Sequence, residues 1–422
     1  MLALPFIRDN VEAVRRAIQV KQVDLNLDDL LAADEEARGL RTRIQKLQEE
    51  RNTNADNTRK ASGEQRQGFI ARGRVIAEEL KALEPSQREA EERLQALLWL
   101  VPNIPAADVP VGASEDDNVE LRRWGQQPVF SFTPLDHVAL LDRHGWADFE
   151  RVARVAGSRS YSLRGDMVLL EMALLHFALD KLQGRGFTLV SLPSMAREAA
   201  FFGTGHFPSG RDQVYYLPDD DLYLSGTAEV PLNSLHSGEI LAESQLPLLY
   251  AGYSPCFRRE AGAAGRDVRG LIRVHQFYKV EQYVVCRNDP EESARWHAQL
   301  LATAEEIVRE LELPYHVVEC CTGDMGAGKV RMNDLETWVP SESRYRETHS
   351  CSSLGDWQAR RANLRYRDAE GKVRFCHTLN NTAVATPRLL VPLLENHQQP
   401  NGSVRIPPVL QRYMGGKTVL PS

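Results

Sequence analysis

Apolar residues recur at alternating spacings of three and four in two stretches near the start of the chain. The first, within residues 28–55, carries Leu30, Ala33, Ala37, Leu40, Ile44 and Leu47. The second carries Ile76, Leu80, Leu83, Ala90, Leu94 and Leu97. This spacing places apolar side chains along one seam of a helix, as in a coiled coil. Because the polar residues 52–68 separate the two stretches, the pattern predicts an antiparallel helical hairpin over about residues 28–98 that projects from the body.

A proline-rich stretch without periodicity follows the second apolar stretch. Residues 101–112 contain Pro102, Pro105 and Pro110, and prolines at this density interrupt regular structure. We therefore expect an N-terminal domain over residues 1–101, a linker over 102–115 and a second domain over 116–422. The full length of 422 residues is ample for a large core beside the hairpin.

The overall charge gives no indication of a nucleic-acid partner, because the formal net charge is −7. The tip of the predicted hairpin is locally positive, since residues 51–74 hold six basic side chains against Asp56 and Glu64. These basic residues are Arg51, Arg59, Lys60, Arg66, Arg72 and Arg74. On pattern alone the tip is either a solvated face or a contact for an RNA backbone.

We expect a cytoplasmic protein with reduced thiols. The start of the chain has no basic region followed by a sustained apolar run, and no apolar stretch is long enough to span a bilayer. The six cysteines include no Cys-x-x-Cys pair, which favours free thiols in a reducing compartment.

Residues 258–281 are predicted to form two strands joined by a loop rich in glycine and arginine. Side chains alternate faces along a strand, so Arg258 and Glu260 share one face. The same alternation groups Arg273, His275, Phe277, Lys279 and Glu281. Such a surface suits a nucleotide, because arginine binds phosphate, phenylalanine stacks on a base and a carboxylate accepts from an amine. The alternative is a charged hairpin with a solvated polar face.

Three further segments carry candidate chemistry. Thr227-Ala-Glu229, if extended, places a hydroxyl and a carboxylate on one face, and the alternative is a helix cap. Gly323–Lys329 nearly matches a phosphate-binding P-loop but is followed by Val330, where Ser or Thr would ligate Mg²⁺, so we interpret it as a turn. His349, Cys351, Cys376 and His377 lack a standard zinc spacing, which makes a zinc site a weak alternative.

The segment Phe257–Glu281 resembles motif 2 of class II aminoacyl-tRNA synthetases, in the form found in bacterial seryl-tRNA synthetases. A predicted helix over residues 168–183, followed by a strand that ends at Pro193, is similar to motif 1. Residues 380–388 and the apolar run after them resemble motif 3, although Pro392 falls inside its expected helix. The resemblance covers nearly the whole chain. It implies an α+β fold with an antiparallel β-sheet flanked by helices, an N-terminal coiled-coil arm and a homodimer.

The resemblance also implies residue roles. For L-serine it implies Thr227, Ala228, Glu229, Arg258, Glu281, Asn380 and Thr382. For ATP it implies Arg258, Arg259, Glu260, Arg273, Val274, Phe277, Glu347, Thr348, His349, Ser350 and Arg388. Glu347 and Ser350 would hold Mg²⁺, and Arg258, Arg388 and Glu347 would be catalytic.

The implied activity is that of a serine–tRNA ligase, which forms seryl-adenylate from ATP and transfers the seryl group to tRNA(Ser), and to tRNA(Sec) as well. In this family the arm grips the tRNA and serves the active site of the other subunit. Two alternatives are a ligase that aminoacylates carrier proteins and a non-catalytic RNA-binding homologue. The first should lack the long hairpin, and the second should have lost a phosphate-binding arginine or a metal-binding glutamate.

Overall fold

The computed structural model describes residues 1–262, 265, 267 and 269–421. The chain divides into two compact units. The smaller unit comprises Leu2–Gln19 and Val23–Val101, and the larger comprises Met1, Val20–Gln22 and Pro102–Ser422.

Helices build the smaller unit. They are α1 (Leu4–Asp9), α2 (Val11–Val20), α3 (Leu27–Lys60) and α4 (Gly63–Leu100). The predicted apolar seam is buried between α3 and α4, where Ile44 and Leu47 pack with Ile76 and Leu80. Near the end of α4 the buried residue is Leu98, while Leu97 is only half-buried. The predicted antiparallel coiled coil is therefore present.

The predicted polar tip is shorter than expected, because α3 and α4 continue through most of residues 52–68 and leave only Ala61 and Ser62 between them. Polar pairs take the place of apolar packing here. Buried Asn54 donates through Nδ2 to the carbonyl of Phe69 at 2.8 Å. Arg72 makes a two-pronged ion pair with Glu50, at 2.7 and 2.9 Å. These polar contacts join the two helices in the region where the sequence has no apolar seam.

The larger unit contains the remaining helices and all strands of the described residues. The helices are α5 (His137–His144), α6 (Phe149–Ala156), α7 (Asp166–Gln183), α8 (Glu198–Thr204), α9 (Glu229–Ser234), α10 (Pro290–Glu310), α11 (Trp357–Ala362), α12 (Leu390–His397) and α13 (Pro408–Gln411). The strands are β1 (Val119–Trp124), β2 (Thr188–Ser191), β3 (Met195–Ala196), β4 (Tyr216–Leu217), β5 (Leu222–Leu224), β6 (Ile240–Ala242), β7 (Leu248–Phe257), β8 (Gln276–Cys286), β9 (Tyr315–Glu319), β10 (Arg331–Val339), β11 (Arg344–Gly355), β12 (Arg365–Arg367), β13 (Val373–Phe375), β14 (His377–Thr386), β15 (Val404–Arg405) and β16 (Val419–Leu420).

An eight-stranded sheet, in the order β1-β9-β10-β11-β14-β8-β7-β2, forms the centre of this unit as far as the structure describes it. Neighbouring strands are antiparallel except for the parallel pair β2–β7. Helices α7 and α10 bury Leu174, Phe177, Leu300 and Ile307 against the sheet in one large core. The predicted sheet flanked by helices is therefore confirmed, with a single parallel pair at one edge.

The motif 3 helix accommodates its proline without a break. Helix α12 begins at Leu390, so Pro392 lies in its first turn, where a backbone N–H has no partner within the helix. Arg388 therefore keeps its place just before the helix.

Two further observations concern membrane spans and thiols. No helix among them combines the length and apolar character needed to cross a membrane. All six cysteines are described, and each is buried without a disulfide partner.

Candidate active site

A cavity of about 430 Å³ opens over strands β8, β11 and β14 of the central sheet. It brings together most of the residues singled out from the sequence. They are Thr227, Glu229, Arg258, Glu260, Val274, Phe277, Glu281, Glu347, Thr348, Ser350, Asn380, Thr382 and Arg388. Residues separated by more than 100 positions in the chain thus line one space.

Strand β8 supplies one wall through the predicted alternation, since Phe277, Lys279 and Glu281 all line the cavity. His275 does not follow this pattern, because β8 begins only at Gln276. Its Nδ1 lies 2.9 Å from the carbonyl oxygen of Arg258, and the side chain lines a different cavity. Arg273 also precedes β8 and lines another cavity. The prediction that Arg273 and His275 share this face is therefore wrong.

Strand β7 ends at Phe257, so Arg258 and Glu260 do not lie on a strand as predicted, although both line the cavity. The Nε of Arg258 donates to the carbonyl of Gly226 at 3.3 Å, and its guanidinium carbon lies 5.2 Å from the centre of the Phe277 ring. Glu260 has a positive φ of 52° and pairs with Arg273 at 3.2 Å. Arg258 and the Phe277 ring form a surface suited to phosphate and base.

A buried acidic subsite lies at the bottom of the cavity. Glu281 is 2% exposed, and the Lys279 ammonium contacts its carboxylate. The Thr227 hydroxyl lies 3.4 Å from both the Glu281 carboxylate and the Lys279 nitrogen. Burial raises the pKa of Glu281, and the charge of Lys279 opposes that rise. The subsite offers hydrogen-bond acceptors to a small polar ligand.

Thr227-Ala-Glu229 is not extended but begins helix α9. The Glu229 N–H donates to Thr227 Oγ1 at 3.2 Å, while Ala228 occupies the N-cap position of the helix. Thr227 and Glu229 nevertheless both line the cavity, while buried Ala228 does not. The side chains of Thr227 and Glu229 are therefore brought together by the start of a helix and not, as predicted, by a strand.

Oxygen ligands for a divalent cation occur on β10 and β11. Glu347 lies at the cavity mouth, 3.5 Å from Arg388, and Asp334 is the cross-strand partner of Ser350. Burial raises the pKa of Asp334, whose buried Oδ1 has no hydrogen-bond partner among the described residues. Burial also acts to raise the pKa of Glu347, but the charges of Arg388 and Arg258 outweigh it and lower that pKa. A hydroxyl and two carboxylates, one with an unpaired buried oxygen, fit Mg²⁺.

Other predicted site residues lie outside this cavity. The Arg259 guanidinium donates to the carbonyl of Asp212 at 3.2 Å, and Arg273 lines an adjoining cavity. His349 is buried with its Nε2 3.0 Å from the carbonyl oxygen of Ala383, and burial lowers its pKa to about 4. Their ATP-binding roles remain predictions that the positions of these side chains do not favour. The weak zinc alternative gains no support, because in the described part of the chain its four residues do not form a cluster that could hold a metal ion.

The P-loop-like segment contributes to the site without the conformation of a P-loop. Gly326, Ala327, Gly328 and Lys329 line the cavity as part of a turn. Lys21 fixes that turn, because its ammonium donates to the carbonyls of Ala327 at 3.0 Å and Lys329 at 2.5 Å. Burial lowers the pKa of Lys21 to about 7. Sequence reasoning gave no role to Lys21, to Lys329 or to Lys279.

Comparison with known proteins agrees with this geometry. Residues 215–397 match the sequence model of the tRNA synthetase class II core domain (G, H, P, S and T). A prolyl-tRNA synthetase of Giardia lamblia, solved with prolyl-adenylate, shares the fold at a TM-score of 0.57 and 17% identity, over 64% of this chain and 54% of that one. The fold and the site thus define a class II aminoacyl-tRNA synthetase.

The remaining comparisons show which family within the class II synthetases the chain resembles. Residues 1–105 match the seryl-tRNA synthetase N-terminal domain. A serine–tRNA ligase of Deinococcus radiodurans is 61% identical over 420 residues, covering 100% of this chain and 99% of the relative. A crystal structure of seryl-tRNA synthetase from Pyrococcus horikoshii, complexed with ATP, has a TM-score of 0.93 and 42% identity, with both chains fully covered. The chain belongs to the seryl-tRNA synthetase family.

Proposed function

We propose that this protein activates L-serine with ATP and transfers the seryl group to tRNA(Ser), and also to tRNA(Sec), in the cytoplasm. The observation that carries the proposal is a single cavity in which the buried acidic subsite of Glu281 lies beside Arg258 and Phe277. The acidic subsite suits an amino acid with an ammonium and a hydroxyl group. Arg258 and Phe277 suit the phosphates and the base of a nucleotide. Relatives matched over the full length of this chain, arm included, favour this function over a carrier-protein ligase.

In the proposed reaction, a carboxylate oxygen of serine attacks the α-phosphorus of ATP. A bond forms between that oxygen and the phosphorus, the bond to the β-phosphate bridge breaks, and pyrophosphate leaves. Arg258 stabilises the negative charge that builds on the α-phosphate, and Arg388 that of the leaving group. Phe277 stacks on adenine, while Glu260 and the backbone at Val274 contact its edge. The seryl group then passes to the terminal ribose of the tRNA.

Selectivity for serine follows from the polar lining of the subsite. Glu229, Glu281, Asn380 and Thr382 present groups that pair with the ammonium and hydroxyl groups of serine. Alanine lacks the hydroxyl and would leave buried polar groups unpaired, a large penalty for the wrong substrate. Threonine carries one methyl group more, which must be excluded by lack of space.

Glu347 and Ser350 would hold Mg²⁺, with Asp334 adjacent to Ser350 across the β10–β11 pair. When bound there, the ion would supply positive charge to the triphosphate of ATP.

The arm and α7 are the proposed contacts for macromolecular partners. The basic tip at residues 51–74 suits the phosphate backbone of a tRNA, which a protein recognises largely by shape and charge. On α7 and the neighbouring edge strand β2, Val168, Leu169, Met172 and Leu189 are all more than a third exposed. An exposed apolar face of this kind suits a second copy of the chain.

The deciding experiment is amino-acid-dependent exchange of pyrophosphate into ATP. Exchange with serine, but not with threonine, alanine, cysteine or glycine, is the expected result, and it should disappear when Mg²⁺ is chelated. A folded protein that gives no exchange with any of these amino acids would contradict the proposal and favour a non-catalytic homologue.

A further inference from the structure

Gln358 is a fully buried amide whose contacts lead directly to the amino-acid subsite. It is the second residue of α11 and does not line the cavity. Its Nε2 donates to Glu229 Oε1 at 2.7 Å and to the carbonyl of Thr204 at 3.2 Å. Its Oε1 accepts from the hydroxyl of Thr378 at 2.8 Å. Every polar atom of the side chain therefore has a partner.

The neighbours of Gln358 determine which way its amide faces. If the amide were turned over, its oxygen would lie against the Glu229 carboxylate and the Thr204 carbonyl, which are both acceptors. Two hydrogen bonds would be lost in a site from which water is excluded. The Thr378 hydroxyl, in contrast, can donate or accept. The amide nitrogen therefore faces Glu229.

A second amide reaches the same carboxylate oxygen. Asn380 donates through Nδ2 to Glu229 Oε1 at 3.0 Å. Within the described ranges of the chain, no donor is recorded for the other oxygen, Oε2. Two fixed donors on Oε1 set the plane of the carboxylate and leave Oε2 for a ligand in the cavity.

We propose that Gln358 is a positioning residue for amino-acid recognition, since it orients Glu229 so that Oε2 accepts a hydrogen bond from the serine ammonium group. This inference rests on the proposed function, because it assigns the ligand of Glu229. Gln358 reaches the cavity indirectly, through Glu229 and through the carbonyl of Thr204, whereas Asn380 lines the cavity itself. Loss of the Gln358 donor should therefore weaken serine binding and leave ATP binding intact.

The test is the substitution Gln358→Glu, which keeps the size of the side chain and replaces the donor by an acceptor. In pyrophosphate exchange near pH 8 the KM for serine should rise roughly tenfold or more, with the KM for ATP within about twofold of the parent value. Lowering the pH should protonate the introduced carboxyl group, which would lie beside a carboxylate, and so restore a donor. The ratio of the serine KM of the variant to that of the parent should consequently fall between about pH 8 and pH 6.

Gln398→Glu is the matched control for disturbing a buried amide. Gln398 Nε2 donates to the carbonyls of Leu135 and Glu395 at 2.9 and 3.0 Å, and none of these residues lines the cavity. This variant should leave the KM for serine unchanged. If Q358E melts at a lower temperature than Q398E, Thr378→Val carries the test, because it releases the Gln358 carbonyl and should also raise only the KM for serine.

Three results would overturn the assignment: equal rises in both KM values, an unchanged KM for serine, or a rise that does not respond to pH. A parent protein without serine-dependent exchange would instead overturn the proposed function, and so the two failures are distinguishable.

Discussion

Lys279 and Glu281 are a buried ion pair at the point where the amino acid is proposed to bind. Their side chains are 11% and 2% exposed. Removing two charges from water is costly unless each is paired and hydrogen-bonded, and here the Thr227 hydroxyl adds a further contact. Burial raises the pKa of the Glu281 carboxyl group, and the charge and hydrogen bond of Lys279 oppose that rise.

Lys279→Met should therefore make serine activation more sensitive to acid. Without the ammonium the pKa of Glu281 rises further, so its carboxylate is lost at a higher pH as the solution is acidified. The acid limb of the pH profile of kcat/KM for serine should move to higher pH. Pyrophosphate exchange measured across a pH series would report this shift.

Lys181→Met serves as the control, since Lys181 is a similarly shielded lysine, 13% exposed, that pairs with Glu306 and Glu310 away from the cavity. Its profile should match that of the parent. An acid limb that stays in place in Lys279→Met would mean that Glu281 does not have to be ionised for activation.

At this scale the sequence located the functional side chains that lie on a regular strand. Alternation along β8 predicted that Phe277, Lys279 and Glu281 share a face, because backbone geometry alone fixes that relation. It misplaced His275, which precedes the strand. It gave no role to Gln358, because the hydrogen bond of Gln358 to Glu229 joins residues 129 positions apart. Contacts of this kind depend on how the chain folds back on itself, which no local pattern records.

At the scale of elements, the strong apolar periodicity was sufficient to predict the helices of the arm. The structure of segments without such periodicity could not be predicted from apolar spacing. The apolar seam between α3 and α4 could be predicted from the sequence. The continuation of both helices through residues 52–68 could not, because the contacts there are polar, from Asn54 and from the Arg72–Glu50 pair. For Thr227-Ala-Glu229, a strand and a helix start both suited the sequence, and the structure has the start of α9 at Glu229. Short segments have too little periodicity to settle such choices.

The arm should be dispensable for serine activation and required for tRNA charging. Glu36 and Arg93 face each other across the hairpin at 3.8 Å, so residues 37–92 can be replaced by a short glycine-serine linker. We expect pyrophosphate exchange within about twofold of the parent, while charging of tRNA(Ser) falls by roughly a hundredfold or more.

A second variant separates the charge of the arm from its length. Replacing Arg59, Lys60 and Arg66, all exposed at the tip, by glutamine leaves the helices in place. It should weaken tRNA binding moderately and reduce its dependence on salt concentration. Equal losses of activation and charging in the deletion variant would contradict the separation of the two tasks.

At the scale of the whole molecule, each unit has an apolar core of its own and a separate proposed task. The sheet and its helices form one continuous core under the cavity, and the hairpin has its own cluster around Ile76. The proline-rich stretch after residue 101 was the basis in the sequence for expecting a domain boundary there. It did not predict which side chains of α7 remain exposed, because the helix is apolar on most of its surface.

The exposed face of α7 makes self-association testable. Substituting both Leu169 and Met172, which are 44% and 51% exposed, by aspartate would place two charges in the proposed interface. Burying an unpaired charge in an apolar contact is strongly unfavourable, so we expect the dimer dissociation constant to rise by roughly a hundredfold or more. Sedimentation equilibrium should then show a dimer for the parent and a monomer for the double variant. Val373→Asp, at an exposed apolar residue on β13, should remain dimeric. A parent that sediments as a monomer, or a double variant that stays dimeric, would remove α7 from the proposed interface.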